Sequence, residues 1–129
     1  MLPLCREMGV GVLPWSPLAR GRLGRPWQAQ PSKRWETDLF AKTLYEKTED
    51  TDHKVIDRLG DVAEKRGVPP AQIALAWMLT KSFVTSPIVG ATKPHHLTDA
   101  VAALSVKLTP EETKSLEEPY APHPVLGFS

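Results

Sequence analysis

The sequence predicts an α/β fold built from parallel strand–helix units, and an incomplete one. Three observations carry this reading. Two short apolar runs, "VGVLPW" at 10–15 and "VTSPIVG" at 84–90, read as strands buried on both faces. Helical segments lie between and after them, the order expected when helices cover a parallel sheet. Only these two strands are evident, and two strands leave their sheet edges open. The 129 residues form one domain, 1–129, with no internal repeat.

The elements follow in order. "LPLCREM" (2–8) is a helix stub closed by Gly9, a C-terminal cap that calls for positive φ. After the first strand, "SPLARGRLGRPWQAQPSKRW" (16–35) has neither helical nor strand period and is too long for a plain connector, so it reads as a functional loop. "TDLFAKTLYEK" (37–47) is a short helix within that excursion. In "TDHKVIDRLGDVAEKRG" (51–67), Val55, Ile56, Leu59, Val62 and Ala63 make one apolar stripe, with Lys65 and Arg66 at the C-terminal end and Gly67 as the stop. "PPAQIALAWMLTK" (69–81) is opened by prolines and apolar around most of its circumference, which predicts a buried helix with Trp77 in the core. The second strand leads into "PHHLTDAVAALS" (94–105), with Leu97, Ala100, Val101 and Leu104 on one side. Thr109, Pro110 and Glu112 supply an N-cap, a first-turn proline and the carboxylate of a capping box, so "TPEETKSLEE" starts a last helix. The tail "PYAPHPVLGFS" is irregular. Most of the thirteen prolines fall at segment edges or in loops, where a missing N–H does least harm.

Composition narrows the function classes. Sixteen Lys and Arg against fifteen Asp and Glu give a net charge of +1, too little field for a non-specific nucleic-acid or acidic-membrane binder. The single cysteine, Cys5, allows no internal disulfide and no multi-cysteine zinc site, fits a reducing compartment, and reads as packing. No apolar run reaches the roughly 18 residues that cross a bilayer, and the charged start "MLPLCREMG" does not read as a secretory signal. A cytoplasmic protein is expected. His95 and His96 are adjacent on a helix and should point to different sides, while His53 and His123 lack partners at ligand spacing, so no metal site is expected.

"GVGVLPWSPLARGRL" (9–23) followed by "PIVGATKPHHLTDAVAALSVKLTPEE" (87–112) resembles the C-terminal portion of an aldo-keto reductase, in the branch that includes bacterial reductases and potassium-channel β subunits. The likeness runs over essentially the whole chain. It implies the last two βα units of a (β/α)8 TIM barrel, strands seven and eight, from a fold that typically takes about 250 residues. It also implies NADP(H) as cofactor, and reduction of a small carbonyl substrate by hydride transfer in a full-length context.

In barrels of this type a phosphate site is often built from the loops after strands seven and eight. "VGAT" ahead of a helix offers backbone N–H groups, small side chains and the positive end of a helix dipole. The resemblance places Gly90, Ala91, Thr92, Lys93 and His96 on the 2′-phosphate and ribose, and Asp99 at the adenine end. It places Trp15 on the nicotinamide ring, where stacking selects the face that donates hydride. It lays Ser16, Pro17, Leu18 and Gly21 along the pyrophosphate, with Arg20, Arg22 and Arg25 near enough to neutralise it. Two positions depart from the family pattern. His96 stands where glutamine or arginine is usual, and Ala100 where an asparagine usually meets adenine.

Each motif alone has a plainer reading: Gly90–Ala91 as a tight turn, Trp15 as a rim aromatic, the arginines as a solvated loop. Their joint occurrence favours the cofactor site. The family's proton donor is a tyrosine tuned by lysine and aspartate with a histidine nearby, all from the first half of the barrel. Those segments are absent, and Tyr45 and Tyr120 lie in the wrong part of the chain, so no catalytic residue is assigned and the isolated chain is expected to be inactive. Three readings follow. The chain is the cofactor-binding part of a reductase, with Met1 inside a helix rather than at a true start; or a non-catalytic binding or regulatory module that pairs with another chain to cover its open sheet; or a degenerate gene fragment.

Overall fold

The structure, a computed structural model, describes residues 1–27, 39, 44, 45 and 48–122. In chain order its elements are α1 (Leu2–Glu7), the 3-10 segment η1 (Ala19–Gly24), α2 (Glu49–Arg66), α3 (Pro70–Leu79), α4 (Pro94–Ala102), the 3-10 turn η2 (Ala103–Ser105) and α5 (Pro110–Glu117).

The helices form where local signals place them. Acidic Glu49, Asp50 and Asp52 open α2 and basic Lys65 and Arg66 close it, each complementing the helix dipole. Gly67 stops it in the left-handed region at φ 63°, and the Val68 N–H reaches back to the Ala63 carbonyl at 3.1 Å. Ile56, Leu59, Val62 and Ala63 are buried as the stripe predicts. Helix α3 buries five consecutive residues, Gln72 to Ala76, as a helix apolar nearly all round must. The capping box of α5 is complete: the Glu112 N–H donates to Thr109 Oγ1 at 3.2 Å, and the Thr109 N–H to Glu112 Oε2 at 2.7 Å.

One core joins these helices. Leu59, Val62 and Ala63 of α2 pack with Ile73 and Ala74 of α3 and Leu116 of α5, with Leu18, Leu23, Val68, Trp77, Val106 and Leu108 around them. Trp77 lies at the margin of this cluster rather than inside it. It is half-buried, its Nε1–H donates to Glu117 Oε1 at 2.9 Å, and the Lys81 ammonium sits 4.6 Å from its ring centroid. An indole N–H needs an acceptor, and the carboxylate at the core edge supplies one.

The expected strands are reduced. Among the described residues the two apolar runs pair only through parallel bridges, Val12 with Val84 and Trp15 with Ile88. Backbone bonds run from the Thr85 N–H to the Val12 carbonyl (2.8 Å) and from the Ile88 N–H to the Pro14 carbonyl (2.9 Å). Pro14 and Pro87 have no N–H to extend the ladder. The side chain of Thr85 fills one gap, its Oγ1 accepting the Val12 N–H at 3.0 Å. Burial on both faces also fails: Val10, Leu13, Trp15 and Ile88 are more than half exposed. A strand is buried by its neighbours, and among the described residues none flank this pair.

Further expectations need revision. Helix α1 buries no residue, so Cys5 is half-buried without entering the core. Leu97, Val101 and Leu104 share a side of α4–η2 as expected, yet all three face solvent, and Ala103 makes the buried contact. The start of the 16–35 loop is ordered by η1. Of the 37–47 helix only Leu39, Leu44 and Tyr45 are described, all helical, and the rest lies outside the described residues, as does the tail from 123.

Candidate functional site

Trp15 and Ile88 are the last bridged residues of the two runs. Because the pairing is parallel, the segment beginning at Ser16 and the turn beginning at Val89 leave from the same end, side by side. Trp15 is 61% exposed there, an aromatic side chain held by its backbone and mostly open to solvent.

The first segment is unusually constrained. Ser16, Ala19 and Arg20 take φ values of 52°, 47° and 57°, and Gly21 takes 97°. Each left-handed non-glycine residue costs about 1–2 kcal/mol, so the surrounding contacts hold this turn against local preference. The Ala19 N–H donates to the Ser16 carbonyl (2.9 Å), the Gly21 N–H to the Leu18 carbonyl (2.9 Å), and the Arg20 N–H to Ser16 Oγ (3.3 Å). Pro17 is buried, and Leu18 packs with Leu23 against the core. The donors of Ala19, Arg20 and Gly21 are thus engaged within the turn rather than presented outward. Arg22 needs correction too. It is 8% exposed, lies 4.9 Å from the Trp27 ring and 5.2 Å from the Tyr45 ring, and its Nη2 is 3.6 Å from Glu49 Oε1. A guanidinium so placed ties the loop to α2 and is not available to a pyrophosphate. Tyr45 belongs to that cluster.

The second turn is open. Gly90, Ala91, Thr92 and Lys93 are exposed, Lys93 caps α4, and Pro94 occupies its first turn. A Cβ at Gly90 would meet nothing within 4 Å, so internal packing does not demand glycine here. The Thr92 N–H donates to His96 Nδ1 at 3.4 Å, and Thr92 Oγ1 lies 3.5 Å from the same nitrogen. His95 and His96 do not diverge as adjacency suggested: their rings meet edge to face at 4.5 Å. One turn on, Asp99 is half-buried and its Oδ1 accepts from Gln72 Nε2 at 2.9 Å.

These residues fit a phosphate-bearing nucleotide at the second turn. A cation, a hydroxyl and an uncluttered glycine stand exposed at a helix start that carries no acidic residue in its first turn. The fit at the first segment rests on Trp15 and on backbone shape, without the charge of Arg22. Sequence reasoning missed Gln72 and Thr85. Gln72 had a visible signal, an amide inside the otherwise apolar run "IALAWML" and its N-terminal turn; Thr85 had none. Among the described residues no three His, Cys, Asp or Glu side chains gather to hold a metal ion, and no helix is long and apolar enough to cross a membrane.

Comparison with known proteins gives the family. Residues 1–121 match the aldo/keto reductase family. The chain is 44% identical over 123 residues to versiconal hemiacetal acetate reductase of Aspergillus parasiticus, covering 95% of this chain and 36% of that protein. It is 36% identical over 129 residues to an aldo-keto reductase of Fusarium vanettenii, covering 100% of this chain and 34% of that one. It therefore spans about a third of the length of these relatives. A solved glycerol dehydrogenase from Gluconobacter oxydans superposes with a TM-score of 0.69 at 24% identity, over 97% of this chain and 39% of that one, a fold likeness consistent with part of a (β/α)8 barrel. With the two motifs side by side and the match covering nearly every residue, the chain belongs to the aldo/keto reductase family.

Proposed function

We propose that this chain is the cofactor-holding portion of an NADP(H)-dependent oxidoreductase. Trp15 orients the nicotinamide, Ser16, Pro17, Leu18 and Gly21 shape the path of the pyrophosphate, and Gly90, Ala91, Thr92, Lys93, His96 and Asp99 take the 2′-phosphate, ribose and adenine end. The observation that carries this reading is the parallel Trp15–Ile88 bridge, which starts both segments from one end of the strand pair. When bound, the cofactor supplies or accepts a hydride, and a small carbonyl is the substrate class of the full-length context. The chain's own residues bind and orient. The proton step requires a tyrosine beside lysine, aspartate and histidine, and the motifs here supply no such set, so the isolated chain binds cofactor without turnover. Titration with NADPH up to millimolar concentration, following tryptophan emission and thermal stability, tests the reading. Quenching with a rise in Tm supports it; neither change at millimolar ligand overturns it for this chain.

A second reading, pairing with another polypeptide, draws on a different observation. Leu13, Ile88, Leu97, Val101 and Leu104 are each more than half exposed, apolar side chains that a partner would cover. Size-exclusion chromatography with light scattering should show association, and a clean monomer overturns it.

A further inference from the structure

Helix α3 carries one polar residue among its buried side chains. Gln72 is 9% exposed, and Ile73, Ala74, Leu75 and Ala76 beside it are buried and apolar. A buried amide is costly unless its hydrogen-bonding groups are met, and a hydrocarbon of the same size would fill the space without that requirement. What Gln72 does that a hydrocarbon cannot is donate to Asp99 Oδ1, across the α3–α4 contact, at 2.9 Å. Asp99 lies three residues after His96, so both stand on one face of α4.

We propose that Gln72 is a positioning residue for cofactor recognition: from behind α4 it fixes the Asp99 carboxylate through Oδ1, leaving Oδ2 to accept from the adenosine end of the cofactor. The inference rests on the cofactor reading above and assigns a role to a residue outside either loop. A carboxylate held by a buried donor cannot swing away from its ligand, so the order it needs for binding is supplied before the ligand arrives. Gln72 touches no cofactor atom itself.

The test compares NADPH with reduced nicotinamide mononucleotide, which lacks the adenosine end, on the full chain. Gln72→Met keeps the volume and removes the donor. It should weaken NADPH binding about tenfold, the worth of one charge-assisted hydrogen bond, and leave mononucleotide binding unchanged. Gln72→Met combined with Asp99→Asn should be no weaker than Asp99→Asn alone, because both act through one carboxylate. If Gln72→Met lowers Tm while NADPH affinity stays at the unsubstituted value, or if the two substitutions add, the positioning role is overturned and the cofactor reading stands. If the unsubstituted chain binds no NADPH, both fall. Should Gln72→Met not fold, the side-chain amide resonance of Gln72 in the unsubstituted chain decides: it should shift on adding NADPH and stay fixed with the mononucleotide, and equal behaviour with both ligands overturns the proposal.

Discussion

Arg66 grips Glu112 with two parallel bonds, Nε to Oε1 at 2.7 Å and Nη2 to Oε2 at 2.5 Å, while the Thr109 N–H donates to that same Oε2 at 2.7 Å. The second nitrogen also reaches the Lys107 carbonyl at 2.8 Å. One carboxylate thereby joins the end of α2 to the start of α5, and it does so with the planar two-point geometry that only arginine offers.

This clamp predicts an acid sensitivity. The Arg66 bonds, followed by the Thr109 N–H, hold the Glu112 carboxyl below the usual glutamate range. A carboxyl that is harder to protonate when folded than when unfolded adds stability at pH values above its unfolded pKa. That stability is lost as pH falls through the folded value. Thermal melts from neutral pH down to about pH 3, near and below the ordinary glutamate range, should show Glu112→Gln less stable than the unsubstituted chain at neutral pH, the two curves converging in acid. A constant gap across that range would show that the charge is irrelevant.

Ile73 is fully buried at the centre of the helical cluster. Its truncation to alanine removes apolar surface and leaves a cavity, a loss of about 2–5 kcal/mol. Against a typical total near 5–15 kcal/mol, that is a large share. Urea denaturation should show a lower midpoint with little change in slope, whereas a loss below about 1 kcal/mol would place this residue outside a well-packed core.

Thr85→Val keeps the branched shape and removes the acceptor for the Val12 N–H. The expected loss is about 1 kcal/mol, the usual net worth of one such bond. Hydrogen exchange should report it locally: the Val12 amide should exchange faster while amides in α2 and α3 hold their protection. Uniform loosening of all of them would mean that Thr85 acts on global stability instead.

Lys93→Ala removes the exposed cation at the start of α4. If Lys93 meets the 2′-phosphate, NADPH affinity should fall about tenfold or more, as for other charged phosphate contacts, with NADH affinity nearly unchanged. Equal losses for both cofactors would place the lysine elsewhere.

The helices were legible because their signals are local. The stripe from Ile56 to Ala63, the Gly67 stop and the Thr109–Glu112 box all act within one or two turns of backbone, and the structure keeps each of them. The family was legible from two separated motifs, "WSPLARG" and "VGATKP". Site roles carried by charge were less legible. Arg20, Arg22 and Arg25 look alike as letters, and only Arg22's burial against Trp27, Tyr45 and Glu49 shows that it serves packing.

The sequence by itself therefore determined where α2 ends and where α3, α4 and α5 begin, and to which family the chain belongs. Tertiary structure alone decided how far the two apolar runs pair, since a strand's partners lie far along the chain and Pro14 and Pro87 limit what two runs can bond. It also decided that Leu97, Val101 and Leu104 face outward while Ala103 turns in, because an apolar stripe states only that a helix has a face and not what covers it. The Gln72–Asp99 bond is of the same kind: two residues 27 apart in sequence meet only because α3 and α4 pack.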